Sequence, residues 1–327
     1  MARVTIASPG EAKRRGKLGY SMEIAMSVSR RRFLAAAAAA VPLAAATPAR
    51  LCVFSKHLHF LGWAEMAAAA KDIGFDGVDL TVRKGGHVAP ERVAEDLPRA
   101  KEAIERAGLQ LTMITSDVVH VGSPHAETVL RTAAKLGIRH YRWGGFRYRD
   151  PGPSPADQLQ ELVPKVKELA ALNRELGLTA MYHTHSGLNQ VGASMWDLWM
   201  LLKNEKPAEV SFNYDIAHAT IEGGLGGWVH SARLALPLSR GIALKDFKWE
   251  RGPQGWRVAW CPIGEGMVRF DKFVPMMKAA AFEGPLQVHY EYDLGGADKG
   301  LTKITMDPKQ VFAAMRKDLV LLRSLLA

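Results

Sequence analysis

The stretch Gly177-Leu178-Thr179-Ala180-Met181-Tyr182-His183-Thr184-His185-Ser186-Gly187 holds the plan of the chain in one unit. A helical run from Pro155 to Leu176 stops at Gly177, and an apolar run then ends in polar residues. Glycine just past a helix and a short β-type run beyond it mark the passage from helix to strand. In an extended strand alternate side chains share a face, so His183 and His185 point the same way at the strand's C-terminal end. Two imidazoles on one face suit a metal, but one hydrogen-bonded core histidine beside one loop histidine would give the same sequence.

Working outward, the same unit recurs. Strands are expected at Leu51 to Phe54, Gly77 to Arg83, Leu109 to Thr115, Ile138 to Trp143, Leu178 to His185, Val210 to Asp215, Gly241 to Asp246 and Leu286 to Glu291. Helices are expected at Gly62 to Asp72, Pro90 to Ala107, His125 to Leu136, Pro155 to Leu176, Met195 to Asn204, Gly227 to Leu236, Phe270 to Ala281 and Pro308 to Leu326. Eight strand–helix units in one body of about 280 residues predict an α/β fold, a single (β/α)8 TIM barrel, over residues 51–327.

Residues 1–50 stand apart as a leader. Ser29-Arg30-Arg31-Arg32-Phe33-Leu34 precedes the apolar run Ala35 to Ala46, the order of an export signal, and the twin arginine resembles a twin-arginine translocation signal. The run is shorter than the ~20 residues of a spanning helix, so no permanent membrane anchor is expected. Export would place the protein in the periplasm or outside the cell, with the twin-arginine translocase as a transient partner. This segment carries nine Lys/Arg and two Asp/Glu, hence +7 of the formal +10. The remainder is close to neutral, which removes charge as a reason to expect a nucleic-acid partner. Only Cys52 and Cys261 are present, and a core of this size needs no disulfide.

In a barrel of this type the site gathers at the C-terminal strand ends. Alternation places Asp79, Thr81 and Arg83 on one face of the second strand. It turns Ser211, Asn213 and Asp215 inward from the sixth, Ala243 and Lys245 from the seventh, and Gln287, His289 and Glu291 from the eighth. His218 follows the sixth strand in a loop. Ionisable groups at consecutive strand ends are costly to bury unless paired or metal-bound.

Phe75-Asp76-Gly77-Val78-Asp79-Leu80, Tyr182 to Gly187, Tyr214-Asp215-Ile216-Ala217-His218, Leu244-Lys245-Asp246-Phe247 and Pro262-Ile263-Gly264-Glu265-Gly266 come in this order. Together they resemble the sugar phosphate isomerase/epimerase superfamily, the xylose isomerase-like barrels that include ketose epimerases, inosose dehydratase and endonuclease IV. The resemblance implies a divalent metal held at the ends of the fifth to eighth strands, commonly by Glu, Asp, His and Glu. Here the Asp falls on Asp215, the last Glu on Glu291, and the first Glu on His183, with His185 as the alternative. The His falls on Ala243, whose methyl group cannot bind a metal. The second imidazole or a water fills that gap, or the site has lost its metal. Mixed nitrogen and oxygen donors suit Mn, Co, Zn or Fe.

The resemblance implies chemistry that begins with removal of a proton alpha to a carbonyl of a sugar, keto-sugar or glycoside, ending in isomerisation, epimerisation or elimination. The expected catalytic residues are Glu291, Lys245 and His183. Lys245 either contacts a substrate oxyanion or pairs with Asp79 or Asp246. Expected substrate contacts are His218, the basic loop residues Arg83 and His87, and the aromatic and cationic run holding Trp143 and Arg147. His289 is expected to orient a ligand rather than act as one. A barrel that binds sugars without turnover is the alternative that Ala243 keeps open, and homo-oligomerisation is left open.

Overall fold

The computed structural model describes residues 50–327. The leader and its twin arginine lie outside the described residues. Strands β1 (Leu51–Phe54), β2 (Gly77–Val82), β3 (Gln110–Ser116), β4 (His140–Trp143), β5 (Thr179–His183), β6 (Val210–Asp215) and β7 (Ser239–Leu244) are followed by a hairpin of β8 (Asp246–Gly252) and β9 (Gly255–Cys261), then by β10 (Leu286–Val288). The eight strands other than the hairpin close a parallel barrel in the order β1-β10-β7-β6-β5-β4-β3-β2. The helices are α1 (Trp63–Ile73), α2 (Val93–Arg106), α3 (Ala126–Lys135), α4 (Pro155–Leu176), α5 (Met195–Leu202), α6 (Ile216–Gly223), α7 (Gly227–Ala235), α8 (Phe270–Ala279) and α9 (Pro308–Leu326).

Local chemistry sets these boundaries. α4 starts where Ser154 accepts a hydrogen bond from the Asp157 amide, with Pro155 at its first position, and it ends at Gly177 with φ 65°. On α1, Met66, Ala67, Ala70 and Ile73 are buried, a single stripe at helical spacing that packs on the strands. Each large side chain so buried contributes about 1.5–3 kcal/mol. The barrel interior is filled rather than open: a side-chain carbon on Gly241 would meet Asn213, Gln287 and Met181 atoms at 3.0 Å each. The Asn213 amide nitrogen donates to Gln287 Oε1 across that interior at 2.6 Å.

Several features depart from the sequence expectation. The fifth barrel strand ends at His183, not His185, the seventh runs Ser239–Leu244 and so ends before Lys245, and the eighth ends at Val288, not Glu291. His218 lies in the first turn of α6, a helix that starts directly at Asp215, whose carboxylate accepts the His218 amide at 3.0 Å. The β8–β9 hairpin occupies a segment for which no element was expected. No described helix is long and apolar enough to cross a membrane.

Candidate active site

The C-terminal ends of β5, β6 and β10 deliver His183, Asp215 and His289, all buried, and each offers a ligand atom within 4.8 Å of the other two. His183 Nδ1 and His289 Nε2 are buried without a hydrogen-bond partner, and Asp215 Oδ2 has the Lys245 ammonium at 3.1 Å. Orphaned ring nitrogens are expensive unless something else engages them. Burial first, and then the charges of Arg142 and Lys245, hold the His183 imidazole well below its ordinary range. Burial does the same for His289, with Lys245 next. Both rings are therefore neutral, the form that ligates metals. Two imidazoles and a carboxylate are a donor set that fits a divalent transition ion.

His289 follows directly on the last ladder residue of β10 and stacks on His183, ring centroids 5.5 Å apart, and on Phe54 at 4.6 Å. Glu291 lies outside this cluster. Its carboxylate oxygens stand 3.1 and 3.3 Å from Lys56 Nζ, a lysine just past β1. The expectation that Glu291 shares the inward face with His289 rested on a strand that continues to it; once the ladder ends at Val288, alternation no longer governs. Burial would raise the Glu291 carboxyl, but Lys245 and Lys56 outweigh it and hold the group below its ordinary value.

Lys245 takes a partner other than the two anticipated. Its Nζ lies 3.1 Å from Asp215 Oδ2, not against Asp79 or Asp246. It also stands 2.7 Å from His218 Nε2 and 4.6 Å from the centroid of Trp260 on β9. An ammonium only donates, so His218 Nε2 accepts and the ring proton sits on Nδ1, which donates to Ser186 Oγ at 2.7 Å. His185 belongs to this second layer, its ring 4.0 Å from that of His218 and its Nδ1 2.8 Å from the Ser186 carbonyl. Ala243 is fully buried in register with Asp215.

Of the expected substrate contacts, Arg83 and His218 face the mouth. His87 is tied to Ser55 Oγ at 3.2 Å and takes part in a Thr81–His59 network beside β1 and β2. Trp143 is corrected: it is 1% exposed and its Nε1 donates to the Val119 carbonyl, so it packs under the loop and offers no face to a sugar. Arg147 is corrected too; it is exposed on that loop, joined by its backbone to Gln190, and none of its side-chain hydrogen bonds or ion pairs among the described residues reaches the cluster. Lys56 and Trp260 escaped sequence reading. A lone lysine after a four-residue strand carries no motif, and the tryptophan rides on the unexpected hairpin. The Asp246 carboxylate accepts backbone amides of Phe247, Gly264, Gly266 and Val268 at 2.8–3.0 Å, which ties the Lys-Asp motif to the Pro262–Gly266 loop.

No curated protein matches the sequence. Among solved structures, the 3-keto-D-glucoside 4-epimerase YcjR from E. coli superposes with a TM-score of 0.62 at 16% identity, over 84% of this chain and 99% of its own. A xylose isomerase-like TIM barrel protein from Mycobacterium smegmatis, in complex with magnesium, gives 0.60 at 15% identity over 85% and 98%. The probable 3-DHS dehydratase AsbF from Bacillus anthracis gives 0.62 at 14% identity over 83% and 98%. At such identities these likenesses speak for the fold. The sequence itself matches the xylose isomerase-like TIM barrel model over residues 67–312, and the chain belongs to that family.

Proposed function

We propose that this protein is a metal-dependent carbohydrate enzyme that removes a proton alpha to the carbonyl of a keto-sugar or keto-glycoside, leading to epimerisation, isomerisation or elimination. The observation that carries this is the convergence of His183, Asp215 and His289, all buried, at the barrel mouth, with the Lys245 ammonium against Asp215 and a ring nitrogen of each histidine left without a hydrogen bond. The epimerase and the probable dehydratase that share the fold support the reaction class.

His183, Asp215 and His289 would hold the ion, with Mn, Fe, Co or Zn best matched to their donors. When bound, it would polarise substrate oxygens and so acidify the adjacent C–H. The chain's own groups do the rest. Glu291, kept ionised by its lysine neighbours, is the proton acceptor, and Lys56 at 3.1 Å fixes its orientation. Lys245 presents positive charge to the oxygen that becomes negative. His218, oriented by Ser186, accepts a hydrogen bond from Lys245 Nζ at its Nε2 and so aims the ammonium. Trp260, half-buried against Lys245 and His218, gives an aromatic wall on which a sugar ring stacks.

Removal of the leader and export to the periplasm or beyond complete the reading; there the substrates are neutral sugars, oxidised sugars or glycosides. The test is solvent exchange. The manganese-loaded protein in D2O should place one deuterium alpha to the carbonyl of a keto-sugar or 3-keto-glucoside, and the chelated protein should not. Sugar binding with no exchange from any such compound would leave a binding barrel in place of the enzyme.

A further inference from the structure

Two arginines stand in the barrel mouth with no ion pair among the described residues. Arg142 on β4 pairs in register with Met181, which points into the barrel, and its guanidinium carbon lies 5.8 Å from the centroid of the Phe54 ring. Arg83, the residue after β2, stands 5.5 Å from the same ring. Among the described residues no carboxylate forms an ion pair with either guanidinium, and neither one donates a hydrogen bond, whereas Lys56 is matched by Glu291 and Lys245 by Asp215. Asp79 responds to both arginines, but burial outweighs them and pushes its carboxyl up to about 7, and Thr115 Oγ1 donates to it at 2.9 and 3.0 Å. It cannot neutralise two fixed cations. Burial and the proximity of Arg83 lower even Arg142, to about 10, against the opposing charges of Asp79, Asp215 and Glu291, none of which pairs with it directly. Towards solvent the excess of positive charge continues: Arg83, Lys56, Lys84 and Lys299 line a cavity of about 430 Å³, with Asp117, which accepts the Lys84 amide, as its one carboxylate.

A half-buried guanidinium whose donors meet nothing is costly, and its planar fork matches the oxygens of a carboxylate, phosphate or sulfate. We propose that Arg83 and Arg142 form a subsite for an oxyanion carried by the substrate, so that the enzyme acts on acidic sugars. Phe54 is the floor of this subsite and stacks directly on His289. The anionic group is thus held one aromatic ring away from the His183–Asp215–His289 centre. The inference rests on the sugar reading above and, among its substrates, favours those that carry an anionic group over neutral sugars.

The test is equilibrium binding, which needs no turnover. Affinities of the purified protein for D-glucose, D-glucuronate, D-glucose 6-phosphate and inorganic phosphate are measured by calorimetry at one ionic strength. At least one of the two anionic sugars should bind about tenfold or more tightly than D-glucose. That ratio should fall towards one in Arg142→Gln and in Arg83→Gln, the latter one residue past the end of β2, with thermal melts showing that each variant is folded. Glucuronate ahead of the phosphate ester identifies a carboxylate, and the reverse a phosphate. Anionic sugars no tighter than D-glucose, a preference that survives both variants, or inorganic phosphate bound as tightly as either sugar would each overturn the subsite. A preference retained alongside a failed exchange experiment would reject the chemistry and keep the subsite.

Discussion

Lys245 Nζ lies 3.1 Å from Asp215 Oδ2, with the two side chains 4% and 0% exposed, so the principal carboxylate of the site is already half-neutralised by the chain itself. Removing one member of a buried pair typically costs about 3–5 kcal/mol because the other charge is left stranded. Lys245→Met should therefore lower the unfolding free energy of the metal-free protein by about 3 kcal/mol. Manganese should restore more stability to this variant than to the wild type. Denaturant titrations with and without metal measure both; an unchanged midpoint without metal would show that the pair is not what holds Asp215.

Asp79 should set a pH dependence. Its carboxyl rises from an ordinary 3.8 to about 7, through burial, against the opposing effects of Thr115, Arg142 and Arg83. The folded state thus keeps a proton that the unfolded chain gives up. The stability this group contributes is complete below about pH 3.8 and is lost as pH climbs through about 7. Asp79→Asn, which stays neutral, should gain on the wild type across that interval by up to about 4 kcal/mol and then hold a constant lead. Thermal melts of both proteins over the range check this, and a gap independent of pH would contradict it.

Asp246 binds four backbone amides, from Phe247, Gly264, Gly266 and Val268. Asp246→Ala leaves these donors in a poorly solvated turn, and a loss of about 3 kcal/mol or more in chemical denaturation is expected. Asp246→Asn, which keeps one acceptor, should lose less. Equal losses would mean that the turn is held by packing.

The barrel was legible because its punctuation is local. Val210–Asp215, Pro155–Leu176 and Pro308–Leu326 match the structure to the residue, since proline, capping residues and, after α4, Gly177 bound them. His183 and Asp215 were legible for the same reason, standing where regular strands end. What escaped depends on contacts distant in sequence. His289 rather than Glu291 joins the cluster because β10 stops three residues short of Glu291, at a point set by pairing with β7 and β1. Lys56 reaches Glu291 across 235 positions. Arg142 was visible only as part of a basic and aromatic run, and its inward direction comes from its register with Met181.

The ligand set is tested most directly by the metal content of the purified protein beside its His289→Ala and Glu291→Gln variants, read by elemental analysis after dialysis against free manganese. Close to one equivalent is expected in the wild type and in Glu291→Gln, with His289→Ala losing most of it. Metal retained by His289→Ala and lost from Glu291→Gln would contradict the assignment of His183, Asp215 and His289 as the centre of the site.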